Sequence, residues 1–236
     1  MIKYISKPKF PANADFITYA GTKIHTNFKN KLDMKKNILV ILVLLVAMQV
    51  CATDFFVCKV FLNDSTVVAG ISRKPYMMDK YFKLLNKKGE TEHQFPSDQV
   101  KYILFYDDNH NATCYEPVLT YKNYSNKKGS KSKSWLQIVS SGYVKLYYGY
   151  QPDMNSKNKN LWYCKKAGDT IAYFITMEYS DGAVPATDPN NELIKNASVY
   201  FADYPALVEK IKQNQFKIGN LTLLVEEYNA WKGVSE

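Results

Sequence analysis

Phe55-Phe56-Val57-Cys58-Lys59-Val60-Phe61-Leu62-Asn63-Asp64-Ser65-Thr66-Val67-Val68-Ala69-Gly70-Ile71-Ser72 reads as an apolar run, a polar triplet and a second β-branched run. Val, Ile and Phe suit a pleated, half-buried surface, and Asn-Asp-Ser between two such runs marks a hairpin turn. The same rhythm continues downstream. Lys80 to Asn86 makes a third strand, and Lys87-Lys88-Gly89-Glu90 turns it into Thr91 to Phe95. Pro96-Ser97-Asp98 breaks the run before a fifth strand, Val100 to Tyr106. Five short strands in about 50 residues, joined by hairpin-sized turns, predict a small antiparallel β-barrel-like unit.

Beyond Tyr106, Asp107-Asp108-Asn109-His110-Asn111 is a polar loop, and Cys114 to Asn123 is a strand in which Pro117 predicts an edge or a bulge. Residues 122–134 carry no acid and little to bury, and they read as a flexible basic loop. A second group of strands follows at Trp135 to Val139, Gly142 to Tyr150, Leu161 to Lys165 and Thr170 to Tyr179. The alternation Val144-Lys145-Leu146 predicts a second antiparallel sheet with one wet face. After the Pro/Asp-rich loop 180–190 the period changes. Leu193, Ile194, Ala197 and Phe201 have helical spacing, Asp203 or Tyr204 precedes Pro205 as a cap for a second helix, and Asn220 is a cap for a third. The fold class is therefore α+β, with two or three C-terminal helices on the second sheet.

Upstream of Phe55 the chain changes nature. Met34-Lys35-Lys36-Asn37 is followed by an uncharged apolar stretch from Ile38 to Met48, then Val50, Cys51 and Ala52. A short basic segment, an apolar stretch shorter than the ~20 residues of a membrane span, and small residues behind it are the pattern of a signal peptide. The organisation expected is then a mis-assigned start or extension over 1–33, a signal peptide over 34–52, a small β unit over 53–121, a basic loop over 122–134, and a sheet with helices over 135–236. An uncut segment 34–52 acting as an anchor, or acylation at Cys51, are the alternatives.

The formal charge of +9 suggests nucleic acid until it is divided along the chain. Residues 1–52 hold 8 Lys and 2 Asp, which leaves 23 basic against 20 acidic residues from Thr53 onward. So slight an excess removes the electrostatic case for nucleic acid. Lys127, Lys128, Lys131 and Lys133 in the basic loop are the candidate binding residues, suited to an anionic lipid or polysaccharide or to an envelope protein. Cys58, Cys114 and Cys164 follow the signal, enough for one pair and an odd thiol in an oxidising space, or for three free thiols where they lie in apolar strands.

Signals for catalysis are weak. His93 lies between Glu92 and Gln94 in a strand. His110 and Cys114 share a loop and a strand near Asp107 and Asp108, too few ligands on too loose a frame for a metal. No G-x-S-x-G elbow, P-loop or dinucleotide fingerprint occurs, and Glu226-Glu227 reads as a solvated helix face. No catalytic residue, cofactor or metal is assigned.

Two resemblances add to this reading. The order of strands and turns over residues 55–106 is similar to the rhythm of SH3-like and Sm-like small barrels. Over roughly residues 135–230, Trp135-Leu136, Gly142-Tyr143-Val144-Lys145-Leu146-Tyr147-Tyr148, Asn196-Ala197-Ser198, Tyr200-Phe201-Ala202-Asp203-Tyr204-Pro205 and Val225-Glu226-Glu227-Tyr228-Asn229 resemble exported envelope proteins of Gram-negative bacteria. That resemblance implies a periplasmic or outer-membrane-associated location and brings no activity with it. The expectation is a non-catalytic binding or scaffolding module, with a carboxylate-based envelope hydrolase and a membrane-anchored assembly or stress factor as alternatives.

Overall fold

Among the described residues eleven strands and three helices follow one another, and all of them except the seventh strand come in the order the hydrophobic pattern predicts. The computed structural model describes residues 55–86, 89–123, 126–152, 158–180 and 188–235. The extension 1–33, the segment 34–52 and the Lys87-Lys88 turn lie outside the described residues, as does most of the loop 180–190. The first five strands are β1 (Phe56–Leu62), β2 (Val67–Ser72), β3 (Tyr81–Leu85), β4 (Thr91–Pro96) and β5 (Val100–Tyr106). They are followed by β6 (Ala112–Asn123), β7 (Asn126–Gly129), β8 (Ser134–Ser140), β9 (Val144–Gln151), β10 (Lys159–Lys166) and β11 (Ile171–Tyr179). The helices are α1 (Pro189–Tyr200), α2 (Pro205–Lys212) and, after a short 3-10 turn at Ile218–Asn220, α3 (Leu221–Ser235). Among the described residues no helix is long and apolar enough to cross a membrane.

The main departure from expectation concerns the sheet. A single sheet runs β11-β10-β9-β8-β6-β5-β1-β2-β3-β4, so the second group of strands continues the first. The twelve-residue β6 makes this continuity possible. Its first part pairs β5 (Ile103 opposite Tyr115) and its middle pairs β8 (Pro117 opposite Trp135). Pro117 lies mid-strand just beyond the β5 pairing, an unpaired edge on that side where a missing N–H is tolerated. Nor is the sheet wholly antiparallel. β11 pairs β6 in parallel through Ile171 opposite Leu119 and Ala172 opposite Thr120, which closes β6-β8-β9-β10-β11 into a ring. Asn126–Gly129 forms strand β7 against β6, so the segment expected to be a loop carries a hairpin arm.

The two faces of the sheet exchange roles across β6. One face carries Cys58, Val60, Ile103 and Phe105, buried together with Phe82 and Trp135 inside the first half. The register runs from Tyr115 to Gln137 to Tyr148, and two residues on the same face reaches Leu146. There the helices cover it, with Leu193, Ala197, Leu207, Ile211 and Leu224 packed on Val144, Leu146, Cys164 and Ile175. The opposite face lines the ring in the second half, where Leu136, Tyr147, Tyr163 and Phe174 are buried. In the first half the same face looks outward. Val57, Lys59 and Phe61 of β1 stand opposite Ile71, Ala69 and Val67 of β2. On their other side they meet Tyr106, Leu104 and Tyr102 of β5.

Lys145 therefore does not mark a wet sheet. Its neighbour on that face, Tyr147, is fully buried, and Lys145 itself reaches Glu116 across the ring mouth at 2.7 Å. Gly149 is required here, since a β-carbon would run into Leu136 and Met77 inside the ring. Each fully buried aromatic or leucine side chain contributes about 1.5–3 kcal/mol of transfer free energy.

The helices start where their caps dictate. Asp188 accepts the Asn190 N–H at 2.9 Å and Pro189 opens α1, a start two residues earlier than the apolar spacing alone indicates. Tyr204 is the N-cap of α2 without a side-chain bond, and Asp203 is used elsewhere. The Asn220 side chain accepts the Lys217 N–H at 2.6 Å and so closes the 3-10 turn ahead of α3.

Candidate functional site

A cleft of about 250 Å3 opens where the chain entering β3, the end of β4 and the start of β8 meet, and two lysines line it. Its floor is fixed from three directions. The Asp79 carboxylate accepts the Tyr76 N–H at 3.0 Å and lies 3.5 Å from Arg73, which holds the turn 76–79. The Trp135 N–H donates to the Met77 carbonyl at 3.1 Å, and the Trp135 indole donates to the Asp79 carbonyl at 3.0 Å. The Met77 N–H in turn donates to Tyr150 at 2.9 Å, so the turn is strapped across β8 and β9. On the other wall Ser130 and Thr120 exchange two bonds, the Ser130 N–H to the Thr120 carbonyl at 2.7 Å and the Thr120 N–H to the Ser130 hydroxyl at 3.1 Å. These bonds anchor the chain that presents Ser132, Lys133 and Ser134.

The lining combines Lys80 and Lys133 with Tyr81, Ser97 and Ser132. Lys80 Nζ sits 5.2 Å above the Tyr81 ring, and Tyr81 and Met78 are exposed. Asp79 also lines the cleft, with its carboxylate held by Arg73 and the Tyr76 N–H, and against it Lys80 and Lys133 leave a positive balance beside an aromatic plane and hydroxyls. An enclosed small-molecule pocket measures roughly 300–1,000 Å3. This cleft is smaller and suits one unit of a longer chain better than a sequestered substrate.

Of the four lysines singled out in the sequence, Lys133 lines the cleft, and Lys131 is exposed and outside the lining. Lys127 and Lys128 lie on β7, with side chains outside the described residues. Lys80 and Tyr81 escape sequence reasoning because they read only as the start of a strand, and their cleft partners lie some fifty residues away. The Met-Met-Asp-Lys turn before that strand is the only local signal.

Several polar groups elsewhere are tied to one another. Glu116 receives Lys145 on one oxygen and the Tyr147 hydroxyl on the other, each at 2.7 Å. Burial, with Glu116 adding its charge, raises the neighbouring Cys114 thiol to about 11, so it stays protonated and is a poor nucleophile. Cys58, pushed by burial to about 12, and Cys164, raised further by burial, are buried free thiols; none of these three cysteines is paired. His110 adopts a positive φ of 63° in a turn whose Asp107 oxygens are taken by the Asn109 and Asn111 N–H groups and the Asn111 amide. His93 is exposed on β4, next to the Phe95 ring. Glu227 is bound to Lys210 at 2.8 Å.

A second polar centre ties the helices to the sheet. Asp203 accepts the Tyr228 hydroxyl at 2.6 Å and Lys166 Nζ at 3.0 Å. Burial pushes its carboxyl up, but the Tyr228 and Lys166 bonds outweigh that and hold it below the ordinary aspartate range. Tyr204 stacks on Trp231 at 4.5 Å, and Asn229 clamps β9 by accepting the Val144 N–H at 2.7 Å and donating to the Val144 carbonyl at 3.0 Å. Gly142 leaves room for that amide, which a β-carbon would strike.

Comparison with family models, curated proteins and solved structures gives this chain no match. Of the residues quoted for the envelope-protein resemblance, Tyr143, Tyr200, Asp203, Tyr204, Tyr228 and Asn229 meet at this helix–sheet corner, while Trp135, Leu136 and Tyr147 are buried in the other two cores. Hydrogen bonds and ring packing within the fold account for them there.

Proposed function

We propose that this chain is an exported, non-catalytic binding module of a bacterial envelope, and that the cleft between Lys80 and Lys133 receives an acidic polysaccharide. The observation that carries this reading is the meeting of Lys133, from the basic segment, with Lys80 and Tyr81 in one cleft. Ammonium groups answer a uronate carboxylate, and the aromatic plane and the serine hydroxyls suit a sugar ring. The saturated carboxylate Glu116 and the protonated Cys114 support a role without catalysis. Export rests on the segment Met34 to Ala52, and cleavage after Ala52 leaves β1, which starts at Phe56, intact. The barrel-like reading of the first half is supported by β1, which pairs both β2 and β5, and by the core that these strands enclose with Phe82.

The test has two parts. Intact mass of the native protein from fractionated cells should give a species beginning at Thr53, and retention of residues 34–52 in the membrane pool refutes cleavage. Titration of the purified protein with alginate, a polyuronate, should show binding that Lys80→Glu with Lys133→Glu weakens by about tenfold or more, while neutral dextran does not bind. Equal binding by the variant, or preference for phosphatidylglycerol vesicles over alginate, rejects the polysaccharide reading.

A further inference from the structure

Between the core of the first half and the helix layer lies a stretch of sheet that neither covers fully. Register sets Gln137, Tyr148 and Trp162 in one row and Tyr150, Asn160 and Glu178 in the next, on one face of β8 to β11. On one side that face runs into the first core at Tyr115 and Trp135, and on the other it passes under the helices at Leu146 and Cys164. The six side chains of the two rows are half-buried. The Tyr148 and Trp162 rings lie 5.2 Å apart, and Tyr150 meets Tyr76 at 5.7 Å. The Arg73 guanidinium stands 4.6 Å over the Tyr76 ring and also reaches Asp79 in the wall of the Lys80–Lys133 cleft. These contacts join the aromatic strip to the cleft.

The polar groups of the strip differ from those of the cleft. The Tyr148 hydroxyl donates to Asn160 Oδ1 at 2.7 Å, and the Tyr115 hydroxyl donates to Gln137 Oε1 at 3.3 Å. With their oxygens engaged, both amides keep N–H groups as donors. Glu178 is the ionised group of the two rows; it repels a second carboxylate and accepts from a hydroxyl. Two lysines in the cleft answer a uronate, whereas the strip suits an uncharged sugar. Its ring face lies on Tyr148, Tyr150 or Trp162, and its hydroxyl or acetamido oxygens accept from the amides. Because the cleft holds one unit, the rest of a bound chain lies beyond it. We infer that the strip is a second subsite for the same polymer, and that the ligand is a heteropolysaccharide combining uronate with uncharged sugar units. This inference rests on the reading of the cleft given above.

The test is titration of the purified protein with two oligosaccharides of equal length. One is from hyaluronan, where glucuronate alternates with N-acetylglucosamine, and the other is from alginate, where every unit is a uronate. The hyaluronan oligosaccharide should bind about threefold or more tightly than the alginate one, although it carries half the charge, as one or two added hydrogen bonds provide. Asn160→Ala should lower that preference, and Glu178→Lys should reverse it by drawing a uronate onto the strip. Lys80→Glu with Lys133→Glu should weaken both ligands. Circular dichroism of the strip variants should match the parent; should Asn160→Ala fail to fold, Glu178→Lys decides. Absence of binding by either oligosaccharide overturns the cleft reading and this inference together. Alginate bound as tightly as hyaluronan, or a preference indifferent to the strip variants, overturns this inference and leaves the cleft reading standing.

Discussion

The same sheet face is solvent-facing in the first half of the molecule and core in the second. Val57 and Tyr147 stand on it, a few strands apart, one half exposed and the other fully buried. The strands themselves do not differ in kind; both halves alternate apolar side chains at period two. The difference comes from closure. In the second half β11 returns to β6 and makes that face the inside of a ring, and three helices cover the reverse. In the first half the sheet rolls the other way around Phe82 and Phe105 and leaves this face outside. An apolar strand position therefore does not announce a core position. Which face is buried depends on where the sheet closes.

The largest expected effect tests that contrast directly. Tyr147→Ala should cost about 3–5 kcal/mol in urea unfolding, as for other buried aromatic truncations, while Val57→Ala should stay within about 0.5 kcal/mol. Comparable losses at both positions would mean that the outer face is covered in the isolated protein. A second measurement sharpens the part played by the helices. Asn229→Ala removes both side-chain bonds to Val144, where β8 no longer reaches β9, and should destabilise by about 1–3 kcal/mol. Hydrogen exchange should then rise at Val144 and leave β1 unchanged, whereas a rise in both halves would show that the clamp supports the whole sheet.

The smallest effect is in the pH dependence. The folded value of Asp203 is depressed, so its contribution is present above the unfolded value of about 3.9 and is lost as the pH falls through the folded value. Asp203→Asn should therefore flatten the acid limb of the stability curve below about pH 4. Its carboxylate is 42% exposed, and screening limits the change to under about 1 kcal/mol. An unchanged acid limb would remove this ion pair from the account of how the helices are held.

Much of the element list was legible without coordinates. The Asn63-Asp64-Ser65 turn, the break at Pro96 and the helical spacing of Leu193, Ala197 and Phe201 each follow from local chemistry, and the strands they delimit agree to within a residue or two. The Asp188 cap was missed because it sits in a stretch that also reads as loop. Of the candidate site only Lys133 was found, since a run of lysines is visible in one dimension. Lys80 and Tyr81 were not, because what makes them a site is the strap from Trp135 to Met77 and Asp79, a contact between distant segments.

By itself the sequence determined the α+β class, the order of strands and helices, and the position of an apolar segment ahead of the first strand. Periodicity, turn residues and caps act over a few residues, and their energies are local. Tertiary structure alone decided that one sheet spans both halves, that Lys145 pairs with Glu116, and that the face bearing Val57 stays outside while the face bearing Tyr147 is enclosed. Those outcomes depend on strand pairing across long separations, where an extended run carries nothing that names its partner.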